Sequence, residues 1–120
     1  MLENEKAIEA FIAAWSRLDV NELLEFFTED GVYHNMPMGP VRGKAQLKPF
    51  IAAFLKDWSS PQWDVLTLMS KGDTVIAERL DRTRIGDVRV DLPCCGVFRM
   101  ENGKIPYGET ISIWRPTPKH

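Results

Sequence analysis

Cysteine and histidine are scarce in this chain: the two cysteines are the neighbours Cys94 and Cys95, and the two histidines are His34 and His120. Adjacent cysteines make a poor staple, so no structural disulfide is expected, and a reducing compartment fits. The same scarcity excludes a zinc site of the usual Cys and His composition, so no metal is expected. Catalysis would have to draw on carboxylates. No apolar run approaches the roughly 20 residues needed to span a bilayer, and Met1-Leu2-Glu3-Asn4-Glu5 lacks the basic start and apolar middle of a secretory signal. A cytoplasmic protein with no membrane partner is the expectation. Charge of one sign is also missing, with 15 Lys and Arg against 17 Asp and Glu. That balance is wrong for a groove that tracks phosphates, so nucleic acid is not an expected partner. A Gly-rich phosphate loop, a serine nucleophile elbow and a dinucleotide fingerprint are absent too, and no cofactor is expected.

What is present is an ordinary globular composition, 44% hydrophobic over 120 residues. This is enough for one core and too little for two, so residues 1–120 read as a single domain with 115–120 as a tail. Ala7, Ile8, Phe11, Ile12, Trp15 and Leu18 recur at helical spacing after Asn4, which is placed to cap a first helix. Asp19 and Glu22 form a capping-box pattern for a short second helix carrying Leu23, Leu24, Phe26 and Phe27, stopped at Asp30-Gly31. A third runs from Gly43 to Trp58, where Pro49 predicts a restart or a kink.

Elsewhere the period is two. Strands are expected at 32–36, 63–70, 74–84, 88–100 and 105–114, with turns at Lys71-Gly72-Asp73, Ile85-Gly86-Asp87 and Asn102-Gly103. A bulge or bend is expected at Pro93 and Gly96. Three helices in the N-terminal half against a strongly bent, mixed or antiparallel sheet make a cone-shaped α+β domain enclosing a pocket.

Alternation along these strands selects the candidate site. Tyr33 and Asn35 share one face and could hold a water between them, although a half-buried strand edge has the same pattern. Val75, Ala77, Arg79, Asp81 and Thr83 share a face of the next long strand, so Arg79 and Asp81 point into one space; a solvated ion pair is the plainer reading. On the last strand, alternation counted from Ile105 puts Tyr107, Glu109, Ile111 and Ile113 together. Glu109 is then a lone carboxylate in an apolar row, needing an arginine partner such as Arg79. A carboxylate, an arginine and a second carboxylate in one pocket are the parts for paired acid and base work.

Tyr33-His34-Asn35-Met36-Pro37 with Gly43, then Glu78-Arg79-Leu80-Asp81, Gly96-Val97-Phe98 and Gly103-Lys104-Ile105 resemble the limonene-1,2-epoxide hydrolase family, of the nuclear-transport-factor-two-like, SnoaL-like cone fold. The resemblance runs from Ala7 to about Trp114. It implies a homodimer paired through the open sheet, on which Trp114 would lie. It also implies water addition to a small apolar, terpene-like or cyclic epoxide in one step, without cofactor or covalent intermediate. Asp81 would then be the acid, Arg79 the bridge, and Tyr33 and Asn35 the holders of the water. The family's base sits in a Trp-Arg-Asp-Tyr-Phe type segment. Here the chain reads Tyr107-Gly108-Glu109-Thr110-Ile111, so the base position falls on Thr110 without a gap and on Glu109 after a one-residue shift. The apolar pattern selects Glu109. With Thr110 there instead, the pocket would lack its base, and a binding module or a repurposed pocket becomes the better reading. An isomerase or cyclase of the same cone, and a non-catalytic module binding a small ligand, are the alternatives.

Overall fold

The computed structural model describes residues 2–36 and 38–112. The chain runs α1 (Leu2–Ala14), a single 3-10 turn (Trp15–Arg17), α2 (Val20–Leu24), β1 (Phe27–Asn35), β2 (Val41–Arg42), α3 (Lys44–Leu55), β3 (Trp58–Lys71), β4 (Thr74–Ile85), β5 (Val88–Glu101) and β6 (Lys104–Ser112). The strands form one six-stranded sheet in the order β2-β1-β6-β5-β4-β3. It curls into a cone around the helices, the α+β architecture expected.

Local chemistry accounts for the breaks between the helices. α1 starts at Leu2, so Asn4 lies in its first turn and does not cap it. Leu18 takes a left-handed conformation at φ 55°, which ends the 3-10 turn. Asp19 then caps α2, its carboxylate accepting from the N–H groups of Asn21 and Glu22. The second helix is shorter than its apolar residues suggest, because Phe27 already belongs to β1. α3 passes through Pro49 as one element; Pro49 is exposed, so the Ala45 carbonyl that loses its donor there can turn to water.

The helices bury one stripe against the inside of the sheet. Ile8, Phe11, Ile12 and Trp15 meet Phe27, Val75, Ala77 and Phe98. Phe11 is the hub, with edge contacts at 5.4–5.9 Å to Trp15, Phe26, Phe27 and Phe98. Edge-on pairs of this kind add about 0.5–1.5 kcal/mol each beyond the area they bury.

Register is where the strands depart from a simple count. β4 and β5 pair without interruption from Thr74↔Arg99 to Ile85↔Val88, so the bulge expected at Pro93 and Gly96 is absent. Irregularities fall elsewhere. In β3, Val65 pairs with Arg79 and Thr67 with Glu78, which leaves Leu66 as an extra, exposed residue. In β6, Lys104 pairs with Glu101 but Tyr107 with Arg99, so the stretch Ile105-Pro106 carries one residue too many. β1 lies parallel to β6, and the sheet is therefore mixed. Ile113, Trp114 and the expected tail lie outside the described residues.

Candidate active site

The inner wall of the cone carries the polar cluster. On β4, Val75, Ala77, Arg79, Asp81 and Thr83 all face inward and are buried, Arg79 only 2% exposed and Asp81 9%. Arg79 Nε donates to Asp81 Oδ1 at 2.8 Å, and Arg79 Nη2 donates to Thr110 Oγ1 at 3.3 Å. The hydroxyls of Thr110 and Tyr33 are 3.1 Å apart. Parallel pairing of Asn35 with Thr110 brings the end of β1 to the same place, and the Met36 N–H donates to the Thr110 carbonyl at 3.0 Å. Arg79, Asp81, Tyr33, Asn35 and Thr110 thus line one cavity of about 240 Å³.

Glu109 is not among them. The extra residue at Ile105-Pro106 reverses the alternation, so Ile105 faces inward and so do Gly108 and Thr110, while Glu109 turns to the outer face. There it pairs with Val97 across the strands and accepts a hydrogen bond from the Tyr107 hydroxyl at 3.1 Å. The expected approach of Glu109 to Arg79 is corrected accordingly: the alternative, Thr110, meets the guanidinium. Among the described residues, Asp81 is the single carboxylate on the cavity wall.

Electrostatics follow from burial. Loss of water pushes the Asp81 carboxyl above the ordinary carboxylate value, and the attraction of Arg79 opposes this without cancelling it. Burial likewise raises the Tyr33 phenol, which stays protonated, a donor or acceptor of neutral hydrogen bonds. Cys94, on the cavity wall beside Asp81, is pushed up to about 12 by burial and by that carboxylate, so it is a thiol and not a nucleophilic thiolate.

The rest of the lining is apolar. Phe54, Trp58, Ile85, Val90 and Leu92 form the body of the cavity, and Trp15 and Trp63 form the wall beneath Arg79. Core spacing marks the tryptophans for packing and pocket lining, and the Leu66 bulge decides that Trp63 in particular stands opposite Asp81. Among the described residues no cluster of three or more His, Cys, Asp or Glu side chains is placed to hold a metal. No helix among them is long and apolar enough to cross a membrane.

Comparison with known proteins agrees with this fold. The epoxide hydrolase EphG of Mycobacterium tuberculosis is 27% identical over 109 residues, covering 91% of this chain and 68% of that protein. The structure of an M. tuberculosis LEH-like epoxide hydrolase superposes with a TM-score of 0.82 at 25% identity, over 93% of this chain and 84% of that one. A protein of ketosteroid isomerase-like fold from Catenulispora acidiphila, in complex with trimethylamine, superposes with a TM-score of 0.80 at 20% identity, over 88% and 83% of the two chains; it shares the fold. The SnoaL-like domain model matches residues 8–107. With a cone-shaped sheet, a pocket on its inner wall and that match over most of its length, the chain belongs to the SnoaL-like domain family.

Proposed function

We propose that the protein is a cofactor-independent epoxide hydrolase that works with one carboxylate in place of two. The observation that carries this reading is the buried Arg79–Asp81 pair on the wall of a small apolar cavity, beside three neutral hydrogen-bonding side chains, Tyr33, Asn35 and Thr110. At about 240 Å³ the cavity lies below the roughly 300–1,000 Å³ of drug-sized sites, which suits a small, ring-sized substrate. The likeness to EphG supports the epoxide class.

Asp81 in its neutral form gives its proton to the epoxide oxygen as the carbon–oxygen bond breaks, and the burial that raises its pKa favours that form. A water held by Tyr33, Asn35 and Thr110 forms the new carbon–oxygen bond. The protonated oxygen this creates is a strong acid; it gives up its extra proton inside the cavity, and the Asp81 carboxylate takes a proton back. The products are a diol and Asp81 restored to its acid form. Arg79 stabilises the carboxylate while it is ionised. Without a basic carboxylate at the water, positive charge must build up at carbon before attack, so epoxides with a tertiary, allylic or benzylic carbon are the fitting substrates.

One observation favours a second reading. A lone carboxylate needs no activated water when the substrate carries its own hydroxyl, so the same acid could close a ring and give a cyclic ether. Incubating the protein with small apolar epoxides in ¹⁸O-labelled water separates the two. A diol carrying one labelled oxygen supports hydrolysis, a product of unchanged mass supports cyclisation or isomerisation, and tight binding without turnover leaves a ligand-binding module.

We also infer a homodimer paired through the outer face of the sheet. Register places Met69, Ile76 and Val97 side by side there, with Met69 53% and Ile76 38% exposed. A second copy would cover this apolar row.

A further inference from the structure

Arg79 is held on more sides than its ion pair requires. Counted through the Leu66 bulge, Trp63 stands directly across the β3–β4 ladder from Asp81 and diagonally from Arg79, on the same inner face. The Arg79 guanidinium carbon lies 4.8 Å from the centre of the Trp63 ring. Trp15 stacks on Trp63 with ring centroids 4.6 Å apart and planes inclined by 20°. Arg79, Trp63 and Trp15 thus form one packed series running from the site into the core. On the other strand, Gly96 leaves the space the guanidinium uses: a Cβ there would fall 2.7 Å from Arg79 Nη1 and 2.7 Å from Phe98 Cε2.

The Trp63 indole N–H is buried and has no hydrogen-bond partner among the described residues. Tryptophan offers the largest and most electron-rich ring face to a cation, and the exclusion of water around Arg79 strengthens that attraction. We propose that Trp63 is a positioning residue for Arg79, with Gly96 providing the matching space, and that the two together hold the guanidinium edge-on to Asp81 and Thr110. With the plane of the guanidinium set by the ring, Nε is directed at Asp81 and Nη2 at Thr110 at the same time. A lysine, or an arginine free to rotate, would satisfy one of these partners and not both. The consequence for chemistry rests on the function proposed above: the position of Arg79 sets how readily Asp81 gives up and regains its proton.

The test is titration of the Asp81 carboxyl by ¹³C NMR in the unmodified protein and in the Trp63→Leu, Trp63→Phe and Gly96→Ala variants, each first shown to be folded by circular dichroism. Loss of the ring frees Arg79, so the Asp81 midpoint should rise by about one pH unit in Trp63→Leu, since the nearby cation is what opposes burial. Trp63→Phe, with a smaller face, should fall between. Gly96→Ala should move the midpoint the same way by displacing Nη1. Where an epoxide is turned over, kcat should change in step with these midpoints. A midpoint unchanged in a folded Trp63→Leu overturns the proposal and leaves Trp63 as lining alone. If that variant does not fold, an unchanged midpoint in both Trp63→Phe and Gly96→Ala overturns it equally. The titration needs no substrate, so it decides the role of Trp63 even if no epoxide is ever opened, which separates this failure from failure of the function.

Discussion

The Oγ1 of Thr110 stands 3.3 Å from Nη2 of Arg79, where a second carboxylate would have to sit for the arginine to bridge two of them. A hydroxyl in that position can hold a water but cannot take its proton near neutral pH. This one contact separates the site from a paired acid and base.

Thr110→Asp should restore the pair. Its carboxylate would lie within reach of both Arg79 and the water site, and diol formation from a small apolar epoxide should rise by about 10²-fold, the ordinary worth of a positioned base. Incorporation of labelled oxygen from water measures it directly. A rate at or below that of the unmodified protein would mean that water attack is not the limiting step.

Asp81→Asn should remove turnover by more than about 10²-fold while keeping the fold, since the amide oxygen still accepts from Arg79 Nε. The pH profile carries the same message. Burial makes the folded carboxyl bind its proton more tightly than the unfolded chain does, so activity that needs the acid form should fall as pH rises through a midpoint above the ordinary carboxylate range. The stability contribution has the same sign: it is present at low pH and lost as pH rises through that folded midpoint. Activity that instead rises with pH through that midpoint would make Asp81 a base.

Glu109→Gln should be close to silent. Glu109 lies on the outer face with a hydrogen bond from Tyr107, and its loss should change stability by no more than about 0.5 kcal/mol and leave the rate unchanged. Chemical denaturation and an epoxide assay on the same preparation check both halves.

Ile76→Glu places a charge in the exposed row between Met69 and Val97. If two copies pair through this face, sedimentation at micromolar concentration should show a dimer for the unmodified protein and a monomer for the variant. A monomer in both cases removes the dimer from the reading.

The sequence by itself determined most of the elements and most of the inner face, although β2 was not foreseen, and β1 and β3 begin at Phe27 and Trp58, five residues before the expected strands. Helical spacing from Ala7 to Trp15 marks the stripe that α1 buries, Asp19 and Glu22 mark the start of α2, and Lys71-Gly72-Asp73 and Asn102-Gly103 mark the turns of the sheet. Alternation on β4 put Arg79 and Asp81 on one face, and β4 has no irregularity against β5 to disturb it. Tertiary structure decided what meets them. A side-chain period of two means that a single inserted residue sends everything beyond it to the opposite face, and sequence does not announce where sheet curvature will need such an insertion. One insertion, at Ile105-Pro106, turned Glu109 outward and Thr110 inward; another, at Leu66, set Trp63 opposite Asp81, where a straight count from the Lys71↔Thr74 end puts Asp64. The insertion at Ile105-Pro106 by itself therefore chose between a site that pairs Asp81 with Glu109 and a site with Asp81 alone.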